Sequence, residues 1–145
     1  MAKTLIVGSD HAGLDLKHEL AAAAAELGYE VVDLGTKSSE STDYPDYAHQ
    51  VASAVARGEG LGLLVCGTGI GMSMAANRHA GVRAALCGDV FSASMSRQHN
   101  DANVLCVGAR VVGSGLAEEI LEAFLSHGFE GGRHERRVKK IESSE

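Results

Sequence analysis

The sequence predicts an α/β chain: a three-layer α/β/α, doubly wound, Rossmann-like arrangement around a five-stranded parallel sheet. Three observations predict it. Five short apolar runs recur along the chain, each ends at or near a glycine, and the longer segments between them carry helical spacing. At 145 residues the whole chain, 1–145, is read as one domain with one core. Its 45% apolar content can fill that core, and 22% charged residues set it apart from disordered chains.

The first run, Leu5-Ile6-Val7, ends at Gly8. After it, Leu14, Ala21, Ala24 and Gly28 trace one helical face, and Gly28 reads as the stop. The second run, Val31-Val32-Asp33-Leu34, ends at Gly35. Pro45, the only proline, marks the first turn of a second helix, where a missing N–H costs nothing. The third run, 61–66, ends at Cys66, and a third helix starts within the glycines that follow. The fourth run, 82–87, leads to a helix over about 90–99, and the fifth, 104–107, to one over about 116–127. The tail from about Gly132 reads as a last, basic helix. In open sheets of this kind, ligands bind beyond the carboxyl ends of the strands. That rule selects four segments: Ser9-Asp10-His11, 35–44, 66–71 and 97–110.

Composition narrows the function. A formal charge of −6, with no aromatics interleaved among the basic residues, argues against a nucleic-acid partner. No apolar run approaches the roughly 20 residues that span a bilayer, so no membrane partner is expected. Met1-Ala2-Lys3-Thr4 leads almost at once into a strand pattern, without the apolar stretch of a signal peptide. Cys66, Cys87 and Cys106 are odd in number and lack C-x-x-C or zinc spacing, as for reduced thiols in a cytoplasmic protein. The histidines, at 11, 18, 49, 79, 99, 127 and 134, include no pair four apart. Neither metal nor cofactor is expected.

The sharpest chemical signal is Cys66-Gly67-Thr68-Gly69-Ile70-Gly71. A buried strand delivers a thiol to its carboxyl end, and glycines then open a helix. Successive N–H groups in such a turn cradle negative charge, and the helix start favours a thiolate. A base beside an oxyanion site is what proton abstraction next to a carbonyl requires. Two blander readings stand beside it. Cys66 could be a small strand residue like Cys87 and Cys106. The glycines could form a nucleotide turn, with Asp89 after the next strand as ribose ligand, although the third glycine falls one residue early.

Other candidates also carry alternatives. Asp10, or Ser9, could simply cap a helix, which leaves His11 unexplained. His99, in Arg97-Gln98-His99-Asn100-Asp101, could be a structural cation at a helix end or an acid–base group. Arg110 follows the fifth strand and could be a surface arginine. Arg133 and Arg137, four apart with His134 beside the first, suit a phosphate clamp or a solvated basic face.

Taken in order, six segments resemble one family: the type B ribose-5-phosphate isomerases, grouped with the galactose-6-phosphate isomerase subunits. They are Gly8-Ser9-Asp10-His11-Ala12-Gly13, Asp43-Tyr44-Pro45, Cys66 to Gly71, Ser96 to Asp101, Gly108-Ala109-Arg110-Val111-Val112-Gly113, and Glu130-Gly131-Gly132-Arg133-His134 with Arg137. The resemblance implies a homodimer or homotetramer whose active site lies between subunits. It implies Cys66 as the base moving a proton between C1 and C2, amides of Gly67, Thr68, Gly69, Ile70 and Gly71 on the enediolate, and Thr68 assisting. His99 would open the furanose ring, and Asp10, Asn100 and Arg110 would bind sugar hydroxyls. His11, Arg133, His134 and Arg137 would hold the phosphate, and Tyr44 would line the pocket. One branch of the family uses a carboxylate base. This chain keeps Cys66 and has no acid between Gly67 and Met72, as in the cysteine branch. A hexose-6-phosphate isomerase and a non-catalytic nucleotide-binding module remain the alternatives.

Overall fold

The computed structural model describes residues 3–142. In chain order these form β1 (Lys3–Ser9), a 3-10 turn (His11–Gly13), α1 (Leu14–Glu26), β2 (Tyr29–Asp33), α2 (Tyr44–Ala56) and β3 (Leu61–Cys66). Then come α3 (Ile70–Ala76), β4 (Ala84–Leu86), α4 (Val90–Gln98), β5 (Val104–Gly108), α5 (Ser114–Ser126) and α6 (Arg133–Glu142). The sheet runs β2-β1-β3-β5-β4, and every pairing is parallel. The predicted α/β class and five-stranded parallel sheet are therefore what the chain forms.

Alternate side chains of each strand face opposite layers. Leu5, Val7, Leu63, Val65, Leu105 and Val107 pack under α1, α4 and α5, against Leu16, Leu20, Ala93, Ile120, Leu121 and Phe124. Ile6, Leu64, Cys66, Val104 and Cys106 pack under α2 and α3, against Ala48, Val51, Val55 and Met72. After β1 the chain winds outward to β2; after β3 it winds the other way. The winding thus reverses between β1 and β3, the point at which sheets of this kind leave a crevice at the carboxyl ends of the strands.

Three local readings change. β4 is only Ala84–Leu86, because Val82 N–H closes a turn onto His79 C=O, although Cys87 N–H still reaches Cys106 C=O. Helix α5 starts at Ser114, earlier than the apolar spacing suggests, because Gly113 is already extended as its N-cap. The buried stripe of α1 is Leu16, Lys17, Leu20 and Ala24, not the face through Leu14 and Ala21.

Lys17 is the exception in that stripe, a fully buried ammonium. It donates to Asp33 Oδ1 at 2.8 Å and to Thr36 C=O at 2.6 Å. Asp33 Oδ1 also accepts the Gly35 N–H. Gly35 C=O and Thr36 N–H in turn pair with Ser9 N–H and C=O. Paired this way, a buried charge is tolerated, and it ties the segment after β2 to the end of β1. At the outer edge, the Asn77 amide bonds both main-chain groups of Ala84: Oδ1 accepts its N–H at 2.7 Å, and Nδ2 donates to its C=O at 2.9 Å. No helix among the described residues is long and apolar enough to cross a membrane.

Candidate active site in two halves

The proposed site residues fall into two groups, at opposite ends of the sheet. The first surrounds the crevice. Cys66 closes β3, in register with Gly108 at the end of β5, and is only 5% exposed. Gly69 N–H donates to Cys66 Sγ at 3.1 Å. This geometry needs glycine: Gly69 has φ 80°, and a Cβ there would lie 2.6 Å from the Leu86 side chain and 2.9 Å from the Val107 carbonyl carbon. The amide of Ile70 is engaged by Thr68 Oγ1 at 3.2 Å. Two of the five amides assigned by resemblance to a substrate oxygen thus already have local acceptors.

Arg110 N–H bonds Gly67 C=O at 2.9 Å, and its guanidinium lies beside Gly67. The Tyr44 ring, in the first turn of α2, covers Gly71 so closely that no Cβ fits there. Across the crevice, Asp10 is 7% exposed and caps the 3-10 turn, its Oδ1 accepting Gly13 N–H at 3.1 Å. Capping does occur, then, and the cap is Asp10 rather than Ser9. His11 meets Thr42, on the loop between β2 and α2.

The second group sits at the amino end. A helix that starts beyond a strand's carboxyl end finishes at the opposite end, and α4 does so. His99 is its C-cap and Asn100 follows, before Val104 opens β5 beside Gly62. From there to Gly108 is four strand steps, roughly 13 Å. Segment 97–110 is therefore split: only its last residues reach the crevice.

Glu130 N–H bonds Gln98 C=O and brings α6 against the end of α4. The His99 and His134 rings stack, centroids 4.2 Å apart and planes 10° from parallel. His99, Asn100, His134 and Arg137 line a cavity of about 390 Å³. Arg133 opens α6 and is exposed. Partial loss of water, then the charges of His99, Arg133 and Arg137, hold His134 below the usual imidazole range, and Glu130 opposes them. A larger cavity, about 560 Å³, includes Asn100 and Arg83 but not Cys66.

Sequence reading missed four residues here. Lys17 was detectable, because it shares a helical face with Leu20 and Ala24. Thr42, Glu130 and Asn77 lie in loops or at a helix end, where no periodicity marks them. The His99, Glu130 and His134 ligand atoms also lie within 4.8 Å of one another, a grouping that pairwise spacing along the chain does not reveal. The two rings are nearly parallel, and the charges of Arg133 and Arg137 act on His134. The other thiols are held protonated: burial pushes Cys87 up to about 11 despite a Ser96 hydrogen bond, and raises fully buried Cys106 further.

A family model described as Ribose/Galactose Isomerase matches residues 5–141. The chain is 56% identical over 144 residues to ribose-5-phosphate isomerase B of Escherichia coli (strain K12), covering 99% of this chain and 97% of that one. It is 48% identical over 141 residues to a putative sugar phosphate isomerase of Bacillus subtilis (strain 168), covering 96% and 95%. Among solved structures, ribose-5-phosphate isomerase B of Clostridium thermocellum superposes with a TM-score of 0.94 at 51% identity, covering 96% of this chain and 95% of that one. The type B ribose 5-phosphate isomerase of Trypanosoma brucei gives 0.96 at 46%, covering 100% of each.

Proposed function

The chain belongs to the ribose/galactose isomerase family, and from that membership we propose that it interconverts ribose 5-phosphate and ribulose 5-phosphate. Cys66, as thiolate, takes the proton from C2 and returns it to C1. A proton passes from O2 to O1 meanwhile, so the sum is an isomerisation with no atom gained or lost. The enediolate oxygen is held by the amides left over in the glycine turn, those of Gly67, Thr68 and Gly71. Thr68 assists by hydrogen bonding, and the second carboxylate oxygen of Asp10 and the Arg110 guanidinium take sugar hydroxyls. Tyr44 walls the pocket. The observation that carries this reading is the Gly69 N–H aimed at Cys66 Sγ beside the crevice. It couples the proposed base to a turn rich in peptide dipoles.

One chain holds this machinery at one end and His99, Asn100, Arg133, His134 and Arg137 at the other. The proposed catalyst is therefore a homodimer, or a pair of dimers, in which His99 of a second copy opens the sugar ring over Cys66. Arg133, Arg137 and His134 clamp the phosphate together with His11. A two-fold contact makes two such composite sites at once. Apolar side chains exposed near the crevice support it: Ile70, Leu86, Val90, Phe91 and Val111. Phe91, at 73% exposed, stands out.

The family description also names galactose, which keeps a hexose-6-phosphate substrate as the second reading. Comparing kcat/KM for ribose 5-phosphate, allose 6-phosphate and galactose 6-phosphate decides between them. Preference for ribose 5-phosphate is expected. Preference for a hexose phosphate overturns the substrate and leaves the chemistry; turnover of none overturns both.

A further inference from the structure

His11 is held by two hydrogen bonds that run in opposite directions. Its main-chain N–H donates to Thr42 Oγ1 at 3.2 Å, and Thr42 N–H donates to His11 Nδ1 at 3.1 Å. The two residues are 31 positions apart, so this is a tertiary latch rather than a local turn. The loop that carries Thr42 is tied down separately at its start, through Lys17, Asp33, Thr36 and Ser9. At its other end, α2 begins at Tyr44, two residues after Thr42, so the amide is held close to a helix start. A peptide N–H can only donate, so Nδ1 must present its lone pair, and a neutral imidazole then carries its proton on Nε2.

We infer that Thr42 is a positioning residue that fixes His11 as the Nε2–H tautomer, making the ring a one-way donor to an anionic substrate oxygen. The donor role rests on the phosphate contact assigned to His11 above; the tautomer does not. Held this way, Nε2 offers no lone pair for proton abstraction, which leaves that step to Cys66.

Long-range proton–nitrogen NMR of the uniformly 15N-labelled, unliganded protein reads the tautomer directly, with His11 assigned by the signal that His11→Gln removes. An unprotonated Nδ1 and a protonated Nε2 are expected; an Nδ1–H pattern, or an even mixture, overturns the inference. Thr42→Ser keeps both bonds and should preserve the pattern, whereas Thr42→Pro deletes the donor and should let Nδ1–H appear. If Thr42→Pro fails to fold, the parent spectrum still decides.

Kinetics then test the donor. A glutamine amide reaches about where Nε2 stands, an asparagine amide about where Nδ1 stands. His11→Gln should keep KM for the sugar phosphate that is turned over within a few-fold. His11→Asn should raise it about tenfold or more, the size of a lost hydrogen bond to a charged group. Equal KM values overturn the donor role. Combined with an Nε2–H spectrum, that result strikes the phosphate contact; an Nδ1–H spectrum instead strikes the latch and leaves that contact standing.

Discussion

The two ends of the sheet are built differently. At the carboxyl end, Cys66 and Asp10 are almost wholly buried, and main-chain groups bond Cys66, Asp10 and His11 directly. At the amino end, His99 is 38% exposed by side chain, and Arg133 and Arg137 project from a solvent-facing helix. A base needs a fixed geometry and a dry surround. A phosphate clamp can be assembled late, from long side chains that close on their ligand. The contrast suits the proposed division of labour, in which the crevice would perform the chemistry and α6 would capture the substrate for a neighbouring copy.

The sharpest way to break this contrast is Cys66→Ala. Steady-state turnover should fall by about 10² to 10⁴, the usual cost of a lost catalytic base, while calorimetry still detects sugar-phosphate binding. Near-parent turnover would dismiss the thiol as base. Next in size is Lys17→Met, which strips the partner from Asp33 and from Thr36 C=O. Urea unfolding should show a loss of about 2–4 kcal/mol, reduced because Asp33 is partly exposed. An unchanged midpoint would mean that the brace below the crevice contributes nothing. Arg137→Ala, at the other end, should raise KM about tenfold and leave kcat within a few-fold; a kcat effect without a KM effect would contradict the clamp.

Mixing Cys66→Ala with His99→Ala protein, each nearly inactive, tests the composite site. After subunit exchange, about a quarter of parental activity should return, because each two-fold heterodimer regains one intact site. No recovery, with exchange verified by mass spectrometry, would place both groups' work within one chain. The mildest probe is alkylation near neutral pH. Cys87 and Cys106 stay protonated because burial raises both, so label should appear on Cys66 first; early modification of Cys106 would contradict the packing.

How far the sequence revealed all this depended on periodicity. β3 was legible residue for residue, because an uninterrupted apolar run ends in glycines. The start of α2 was legible from Pro45, and that of α4 from the spacing after Asp89, whose carboxylate caps it at Ser92 N–H. β4 was over-read, since apolarity continues through a turn at Val82. For the site, spacing alone could not say that His99 and Cys66 lie at opposite ends, although the direction of a helix between two parallel strands implies it. The His11–Thr42 latch left no trace in the sequence, because a loop hydroxyl and a loop amide follow no period.

Asn77 carries a consequence for assembly. Its side chain stands in for a sixth strand, occupying both hydrogen-bonding groups of Ala84 at the β4 margin. A neighbouring molecule finds the Ala84 rung already taken, which shortens the edge of a three-residue strand as a template for outward growth on that flank. A companion chain arriving from this direction is therefore gripped largely by side chains, which favour one orientation over a sliding register.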